Sequence, residues 1–518
     1  MKQLLHILIL ILCNSILLWA QKPTSRILLI PLDDRPPCLQ FAVKMGNIAD
    51  AQLVTPPREM LGRFTDFGKS DAIIEWLKAQ DFNQYDAAII SMDMLAYGGL
   101  VASRVHATDI DEATQRIDIV QFIRQKNPNL KIFGSSVIMR LAPTADGKNE
   151  AYREKLSRWA DYSPYPEHKE AVEKLEQEIP AEAIANYKKA RERNLKINQK
   201  AIELVKQNVF DYLILSQDDA KPKGIHVQDR ETLIADIKRL NLSEKIAVQP
   251  GADEVSMLLL ARALTHKYNY HPKIKALYSS EEMADKAMPF EDRPLRKTVS
   301  FHIIASGGVE VQDTQQADIF FYVYTSRHQA GTAATFAETI SKSTHKGIII
   351  ADIDPIGDVQ GGNTDFTEGV LRRGVFPKIY GYACWNTAGN TIGTALPHGL
   401  VFGVSQEILN ENPKKKVKKR MACAQTWYTL NRLLDDYAYH TLVRPKAQAL
   451  IKEKKWNAFK LTPEQAVIIK NFCLKELQPI AQNVAQKYKN TEGVKLSKLT
   501  FDLPWNRTFE GEIDFKVK

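Results

Sequence analysis

Eight short and nearly continuous apolar runs constrain the fold of this 518-residue chain more than any other feature. Apolar and polar residues do not alternate within them, which is typical of parallel strands that are covered on both faces. Longer segments with helical spacing of apolar residues separate the runs, which predicts an α/β fold. The runs are Ile27–Ile30, Ala87–Ile90, Ile132–Val137, Tyr212–Leu215, Ile246–Val248, Ile319–Tyr324, Gly347–Ala351 and Ile379–Ala383.

The number of runs favours a (β/α)8-barrel-like parallel sheet with insertions, because such barrels have eight strands and can exceed 400 residues. Three further strand-like runs, Gln52–Val54, Ile274–Leu277 and Val299–Ile304, do not fit this count. Two doubly wound α/β domains would use all eleven runs, and this architecture is the alternative prediction.

The order of patterns along the chain predicts its domains. Residues 1–20 have the charged end, apolar stretch and terminal small residue of a signal peptide. Residues 21–403 form the predicted α/β catalytic domain, with a helical insertion at about 144–208 and an inserted subdomain at about 274–305. Residues 404–518 are predicted to form a helical C-terminal domain that ends in short strands.

The predicted signal peptide places the protein in the periplasm or outside the cell, with a membrane anchor as the rival interpretation. No later segment is apolar enough to cross a bilayer, so we expect no stable membrane span after signal cleavage. The net charge of +9 comes from 70 basic and 61 acidic residues, without a basic block interleaved with aromatic residues. We therefore expect no nucleic-acid partner.

Several common kinds of catalytic and cofactor site have no motif in this sequence. The nucleophile elbow of serine hydrolases, the phosphate-binding loop and the dinucleotide fingerprint are missing. The histidines lack paired metal-ligand spacing, and five cysteines are too few for a disulfide scaffold. We therefore predict neither a cofactor nor a metal.

Polar and glycine-rich residues follow most of the predicted strands. Because the carboxyl ends of parallel strands meet at one edge of a sheet, we expect these residues to line one crevice. The candidate substrate-binding residues are Asp33, Asp34, Arg35, Asp93, Tyr97, Arg104, Arg140, Asp352, Asn363, Trp385, Asn386 and Asn390.

An acidic crevice rimmed by arginine, asparagine, tyrosine and tryptophan suits a sugar, since carboxylates bind hydroxyl groups and two carboxyls can divide the acid and base or nucleophile roles. Asp218 and Asp219 are the preferred catalytic pair, and Asp253 and Glu254 are further candidates. Neighbouring side chains on a strand point in opposite directions. The two aspartates would then have different environments, and one could stay protonated while the other is ionised.

The expected function is that of an exported glycoside hydrolase acting on a glycan or cell-wall sugar, with a carbohydrate substrate as its partner. One alternative is a metal-assisted hydrolase or lyase, with oxygen ligands from Asp33, Asp93 and Asp352. The other alternative is a carbohydrate-binding protein without enzymatic activity.

Five longer motifs resemble a bacterial family of about this length that is known as a domain of unknown function (four-one-two-seven). The resemblance covers most of the chain after the signal peptide and implies no established activity. The motifs lie at Leu32–Pro36, Asp93–Leu100, Gln217–Asp219, Pro250–Glu254 and Trp385–Thr394.

Leu215–Asp219 and Trp385-Asn386 are also similar to elements of the bacterial O-GlcNAcase-type hexosaminidases, which are (β/α)8 barrels followed by a helical domain. This resemblance implies that Asp218 orients the N-acetyl group of the substrate and that Asp219 is the general acid/base. The surrounding sequence differs from that family, so the two roles are carried over by analogy.

Overall fold

The computed structural model describes residues 23–345, 347–357, 360–411, 414–488 and 494–517. The predicted signal peptide, residues 1–20, lies outside the described residues. Within them, the strands form two separate parallel sheets and one antiparallel hairpin. The predicted α/β class is confirmed, and its form is that of two open sheets, as in the alternative prediction of two doubly wound units.

The first sheet has six parallel strands in the order β2-β1-β3-β4-β5-β6. Its strands are β1 (Ser25–Ile30), β2 (Ala51–Val54), β3 (Ala87–Ser91), β4 (Lys131–Ile138), β5 (Tyr212–Gln217) and β6 (Ile246–Pro250). The chain passes from β1 to one side for β2 and to the other side for β3. This reversal is the topological switch point beside which open α/β sheets bind ligands.

The second sheet has five parallel strands in the order β11-β10-β9-β7-β8. Its strands are β7 (Lys273–Tyr278), β8 (Val309–Glu310), β9 (Ile319–Tyr324), β10 (Gly347–Asp352) and β11 (Gly381–Ala383). The C-terminal hairpin consists of β12 (Leu496–Asp502) and β13 (Glu512–Val517). All eight apolar runs that the sequence suggested as strands overlap strands of the two sheets, although only Gly381–Ala383 of the last run is a strand.

The strands do not close into the predicted eight-stranded barrel. Two of the three runs that exceeded the count of eight form additional strands of the two open sheets. The run Gln52–Val54 lies in β2, which is an edge strand, and Ile274–Leu277 lies in β7, between β9 and β8. The segment 274–305 is therefore an integral part of the second sheet and its helical layer, and the prediction of an inserted subdomain is wrong.

The run Val299–Ile304 is helical, contrary to the sequence-based expectation of a strand. It lies within a helix, Leu295–Ala305, that begins directly after Pro294. The buried positions Leu295, Thr298, Val299, His302 and Ile303 recur with the spacing of one helical face. The run Val299–Ile304 covers less than two helical turns, so the helical spacing of its buried residues cannot be recognised from the run alone.

Helices connect the strands of the first sheet and cover both of its faces. They are α1 (Gln40–Gly46), α2 (Ser70–Lys78), α3 (Met92–Tyr97), α4 (Leu100–Ser103), α5 (Ile110–Ile117), α6 (Ile119–Lys126), α7 (Arg153–Tyr162), α8 (Lys169–Glu178), α9 (Ala181–Lys206), α10 (Ile225–Arg239) and α11 (Val255–Lys267). The segment 144–208, predicted as a helical insertion, contains α7, α8 and α9 between β4 and β5.

The second half of the chain adds α12 (Glu281–Ala284), α13 (Leu295–Ala305), α14 (Thr332–Ser341), α15 (Thr364–Arg372), α16 (Ala388–Glu411), α17 (Lys415–Arg432), a π-helix (Leu433–Val443), α18 (Arg444–Glu453) and α19 (Pro463–Lys487). α16 crosses the predicted boundary between residues 403 and 404. None of the helices in the described part of the chain is both long enough and apolar enough to span a membrane.

Successive residues of a strand enter different apolar clusters, which accounts for the continuous apolar runs. Leu29 of β1 packs into a cluster that extends to the second sheet, whereas Leu28 and Ile30 pack into a cluster on the opposite face. Because both faces of the sheet are covered, the side chains on each face of the strand are apolar. α11 and α16 both contribute to the first cluster.

Candidate functional site

A cavity of about 320 Å³ lies at the carboxyl ends of the strands of the first sheet. Residues that follow β1, β3, β4, β5 and β6 line it, together with the start of α16 after β11. α7, α18 and the turn between β12 and β13 contribute further lining residues. The predicted site residues that line this cavity are Arg35, Arg104, Arg140, Asp218, Asp219, Asp253, Asn386 and Asn390.

Asp218 and Asp219 directly follow β5 and are each paired with a different arginine. A guanidinium nitrogen of Arg104 donates to Asp218 Oδ2, and Arg140 Nη1 donates to Asp219 Oδ2. Arg140 Nε also lies 3.9 Å from Asp218 Oδ2. Asp219 has the left-handed backbone angle φ of 40°, which aspartate tolerates better than most residues. The Asp219 side chain is 36% exposed, whereas that of Asp218 is 11% exposed.

The two carboxyls have pKa values shifted in opposite directions. Burial by itself would raise the pKa of Asp218, but the charges of Arg104 and Arg140 outweigh it and lower the pKa. The pKa of Asp219 is raised by burial and by the negative charge of Asp218, against the opposing effect of Arg140. Asp218 is therefore the member of the pair that stays ionised, and Asp219 is the member that retains a proton more readily.

Asp253 follows β6 and is held by Arg35, which follows β1. Arg35 Nη2 lies 2.6 Å from Asp253 Oδ1 and Nη1 lies 3.0 Å from Oδ2. Asp33 accepts from the other edge of the same guanidinium, with Arg35 Nη2 2.7 Å from its Oδ2. Burial, together with the charges of Asp33 and Asp218, raises the pKa of Asp253 to about 6 despite the pairing with Arg35.

The turn between β12 and β13 closes the cavity on the side of Arg35. Glu510 Oε1 lies 3.4 Å from Arg35 Nη1, and its Oε2 accepts from Arg507 Nε at 2.8 Å. The guanidinium carbons of Arg35 and Arg507 each lie 4.6 Å from the centroid of the Trp505 ring. Trp505 Nε1 donates to Asp34 Oδ1 at 2.7 Å. The last residues of the chain thus fix side chains that follow its first strand.

Three of the predicted residues after β1 and β3 lie behind the cavity lining. Asp34 supports Trp505, and burial raises its pKa. Asp93 is buried and accepts from the backbone N–H of Val137 at 2.9 Å. Burial raises the pKa of Asp93 to about 7. Tyr97 is buried beneath the Arg193 guanidinium, whose carbon lies 4.1 Å from the ring centroid. These residues, like Asp33, support the site without lining it.

Glu254, a predicted catalytic residue, points into the core instead of the cavity. Its side chain is fully buried, and Oε1 lies 3.3 Å from Nε2 of His302. His302 Nδ1 lies 2.7 Å from the carbonyl oxygen of Thr298 and donates to it. Gly251, at φ of 91°, leaves the space that the Glu254 carboxyl group occupies.

Asp352 and Asn363 belong to the carboxyl end of the second sheet. Asp352 is paired with Arg327 at 2.6 Å and accepts from the backbone N–H of Asn363 at 2.6 Å. The Asn363 side chain caps α15 by accepting from the backbone N–H of Phe366 at 2.9 Å. Neither residue lines the cavity. Capping of α15 therefore accounts for the position of Asn363 without a role in the cavity.

Trp385 is a core residue. It is 2% exposed, its ring packs edge-on against Phe41 at 6.2 Å, and Nε1 donates to Thr394 Oγ1 at 3.1 Å. The next residue, Asn386, lines the cavity, as does Asn390 in the first turn of α16. The side-chain amide of Asn386 has no partner among the described residues, although the residue is only 6% exposed.

Sequence reasoning missed the lining residues that come from outside the strand ends. Arg153 begins α7, Arg444 begins α18, and Arg507 lies in the hairpin turn. Phe290 and Phe459 also line the cavity and are 46% and 59% exposed. No local motif identifies these residues, because they come from loops and helix ends whose position depends on tertiary packing.

The lining contains six arginines and three aspartates, and the guanidinium groups still outnumber the carboxyl groups when Asp33 and Glu510, which pair with Arg35 and Arg507 from behind the lining, are included. The arginines are Arg35, Arg104, Arg140, Arg153, Arg444 and Arg507. Across the described residues, no three His, Cys, Asp or Glu side chains are grouped so that they could hold a metal ion. In particular, Asp33 and Asp352 are each paired with an arginine.

Comparison with protein families identifies the family of this chain. The family model described as Protein of unknown function (DUF4127) matches residues 27–514, which is nearly the whole described chain. The resemblance carried by the five sequence motifs is thereby confirmed. No curated protein matches the sequence. Nothing in these comparisons supports the resemblance to hexosaminidases, whose barrel differs from the two open sheets found here.

Proposed function

This chain belongs to the family described as Protein of unknown function (DUF4127), and from its cavity we propose that it is an exported enzyme that hydrolyses glycosidic bonds. Export rests on the signal-peptide pattern of residues 1–20. The proposed reaction rests on the carboxyl groups at the carboxyl ends of β5 and β6.

The opposite pKa shifts of Asp218 and Asp219 are the observation that carries this proposal. Glycoside hydrolysis needs one carboxyl group that donates a proton to the leaving oxygen and a second that is ionised. Asp219 is the better acid, because its pKa is raised and its side chain is open to the cavity. Asp218 is held ionised by Arg104 and Arg140, which lower its pKa.

Asp218 is the ionised partner in this proposal, since Arg104 and Arg140 lower its pKa. It would act as the nucleophile or as the base that activates water, according to its separation from Asp219. Asp253, whose pKa is raised to about 6, lines the same cavity and is oriented by its two-point contact with Arg35. The amides of Asn386 and Asn390 line the same cavity and suit sugar hydroxyl groups.

A second candidate, the metal-assisted hydrolase or lyase, has no specific support from the arrangement of carboxylates. Asp33, Asp93 and Asp352 are bound to separate partners, Arg35, Val137 and Arg327. Activity measured with and without a chelator tests that candidate directly.

The proposal is tested by the release of reducing ends from a panel of bacterial, plant and animal glycans. We expect wild-type turnover of at least one glycan, unchanged by EDTA. Asp219→Asn should lower kcat by about 10²–10⁴-fold, the usual contribution of a general acid, while leaving binding intact. Asp285→Asn is the matched control, because Asp285 is exposed, is paired with Arg296 and lies outside the cavity lining.

Binding of a glycan without turnover by the wild type would identify a carbohydrate-binding protein instead. Turnover that is lost on chelation and restored by a divalent cation would identify the metal-assisted reaction. Turnover that survives Asp219→Asn unchanged would remove the assigned acid.

A further inference from the structure

Arg153 lines the cavity with a guanidinium group that makes no hydrogen bond or ion pair with any described residue. The other arginines that follow strands, Arg35, Arg104 and Arg140, are each paired with an aspartate. Arg153 is the first residue of the ten-residue helix α7, so its charge adds to the positive end of the helix dipole. The acidic residue of that first turn, Glu154, is exposed and forms no ion pair with it.

The charge of the whole lining points the same way. Among the described residues, six guanidinium groups and three carboxyl groups line the cavity, and the guanidinium groups remain in excess when Asp33 and Glu510, which pair with Arg35 and Arg507, are counted. Two of these carboxyls, Asp219 and Asp253, have raised pKa values, which increases the positive excess in mildly acidic solution. An arginine pairs more strongly with an anion than with a neutral acceptor, and it does so in a geometry that suits carboxylate, sulfate and phosphate.

Two independent observations are typical of a space that binds a ligand. The nearly buried amide of Asn386 lines the cavity without a protein partner. Phe290, at the mouth, has the left-handed backbone angle φ of 64° and a side chain that is 46% exposed. Left-handed backbone in a bulky residue is unfavourable and is concentrated at functional sites. Phe459 is a second exposed ring in the same lining.

We propose that the substrate is an acidic carbohydrate, in which a carboxylate, sulfate or phosphate group binds Arg153 and a sugar ring packs against Phe290 and Phe459. This inference rests on the proposed function and adds the substrate class to it. Aromatic faces pack against the C–H groups of a sugar ring, and Asn386 supplies the hydrogen bonds that distinguish its hydroxyl groups.

The test is calorimetric binding of matched pairs of oligosaccharides to the full chain, in which the two members differ only in charge. The pairs are oligouronates with their carboxyl-reduced forms, sulfated glycans with their desulfated forms, and phosphorylated sugars with their dephosphorylated forms. We expect the acidic member of one pair to bind at least tenfold more tightly than its neutral counterpart. The pair that responds identifies the anionic group.

Variants of Arg153 connect the selectivity to this residue. Arg153→Met should weaken binding of the acidic member at least tenfold and leave the neutral member unchanged, and Arg153→Lys should recover part of the loss. Arg158→Met is the matched control, because Arg158 is exposed on the same helix and does not line the cavity. An unchanged thermal unfolding temperature shows that the Arg153 variants are folded.

Equal affinity for both members of every pair overturns the inference, as does the absence of binding to every acidic member. Unchanged affinity in Arg153→Met also overturns it. Arg153-dependent binding of an acidic glycan without turnover would leave the inference standing and refute the proposed hydrolysis. Hydrolysis of neutral glycans alone, dependent on Asp219, would support the proposed hydrolysis and refute the inference that the substrate is acidic.

Discussion

The guanidinium group of Arg35 donates to both carboxylate oxygens of Asp253, at 2.6 and 3.0 Å, and so joins the loop after β1 to the loop after β6. The two residues are 218 positions apart in sequence. Asp33 and Glu510 contact the same guanidinium, so one buried cation serves three carboxylates. Arg35 therefore holds together one wall of the cavity.

Removing the Arg35 charge should destabilise the protein strongly. Arg35→Met leaves Asp33, Asp253 and Glu510 buried without their shared partner, and breaking a buried ion pair in this way costs about 3–5 kcal/mol. Urea unfolding at pH 7 measures the loss. The double variant Arg35→Met/Asp253→Asn should recover part of it. Arg239→Met, which breaks the exposed pair with Asp236, should cost less than about 1 kcal/mol.

Arg140 should control the protonation of Asp219. Its positive charge opposes the burial and the Asp218 charge that raise the Asp219 pKa. In Arg140→Met we therefore expect a higher Asp219 pKa and an acid that stays protonated to higher pH. Carboxyl-selective ¹³C NMR titration measures this without a substrate. Arg104→Met should shift Asp219 less, because Arg104 is paired with Asp218, and equal shifts would contradict this assignment.

The same change predicts the direction of a pH–activity shift. If Asp219 donates the proton, the alkaline limb of kcat/KM marks its ionisation and should move to higher pH in Arg140→Met. An alkaline limb that moves to lower pH, or does not move while the Asp219 pKa rises, would show that another group donates the proton.

Glu291 should make stability fall with rising pH. Its fully buried carboxyl group accepts from the Gly389 backbone N–H at 2.7 Å, and burial with the charges of Glu254 and Asp292 raises its pKa to about 8. Between its ordinary pKa of 4.5 and about 8, the folded protein binds a proton that the unfolded chain releases. The free energy of unfolding then decreases by up to about 1.4 kcal/mol per pH unit across this window.

Glu291→Gln removes that titration and can still accept the hydrogen bond from Gly389. Its stability relative to wild type should therefore improve from pH 5 to pH 8, as measured by urea unfolding at several pH values. Parallel stability curves for the two proteins would mean that Glu291 is ionised in the folded state.

Gly98 should tolerate no side chain. Its φ is 90°, and an added Cβ would lie 2.5 Å from the carbonyl oxygen of Gly68, which is fixed backbone. We expect Gly98→Ala to cost about 2–4 kcal/mol, from the left-handed backbone and the overlap together. Gly331→Ala is the control, since φ is 81° there but no atom lies within 4 Å, and about 1–2 kcal/mol is expected. Thermal unfolding compares the two, and equal losses would exclude the overlap.

Some of the fold could be predicted because its cause is local. A strand such as Ile27–Ile30 is apolar at every position since each face of its sheet is covered, and this is visible without knowing its neighbours. The pairing of strands is not local. Ile274–Leu277 belongs to the second sheet because of its pairing with β9, and the sequence carries no record of that partner.

The site divides in the same way. Asp218 and Asp219 follow a strand, and the geometry of parallel sheets brings such residues to one edge. The same rule assigned Glu254 and Trp385 to the cavity, yet their neighbours Asp253 and Asn386 face it while they face the core. Which of two adjacent side chains faces the cavity depends on the backbone path after the strand.

By itself, the sequence determined most of the strands, the α/β class and the edge of the sheet at which polar side chains meet, because apolar burial and strand direction act over a few residues. Tertiary structure alone decided that there are two sheets, and that Arg153, Arg444 and Arg507 surround the aspartates of β5 and β6. Those arginines come from segments that are distant in sequence, and only the packing of the complete chain brings their charges into one cavity.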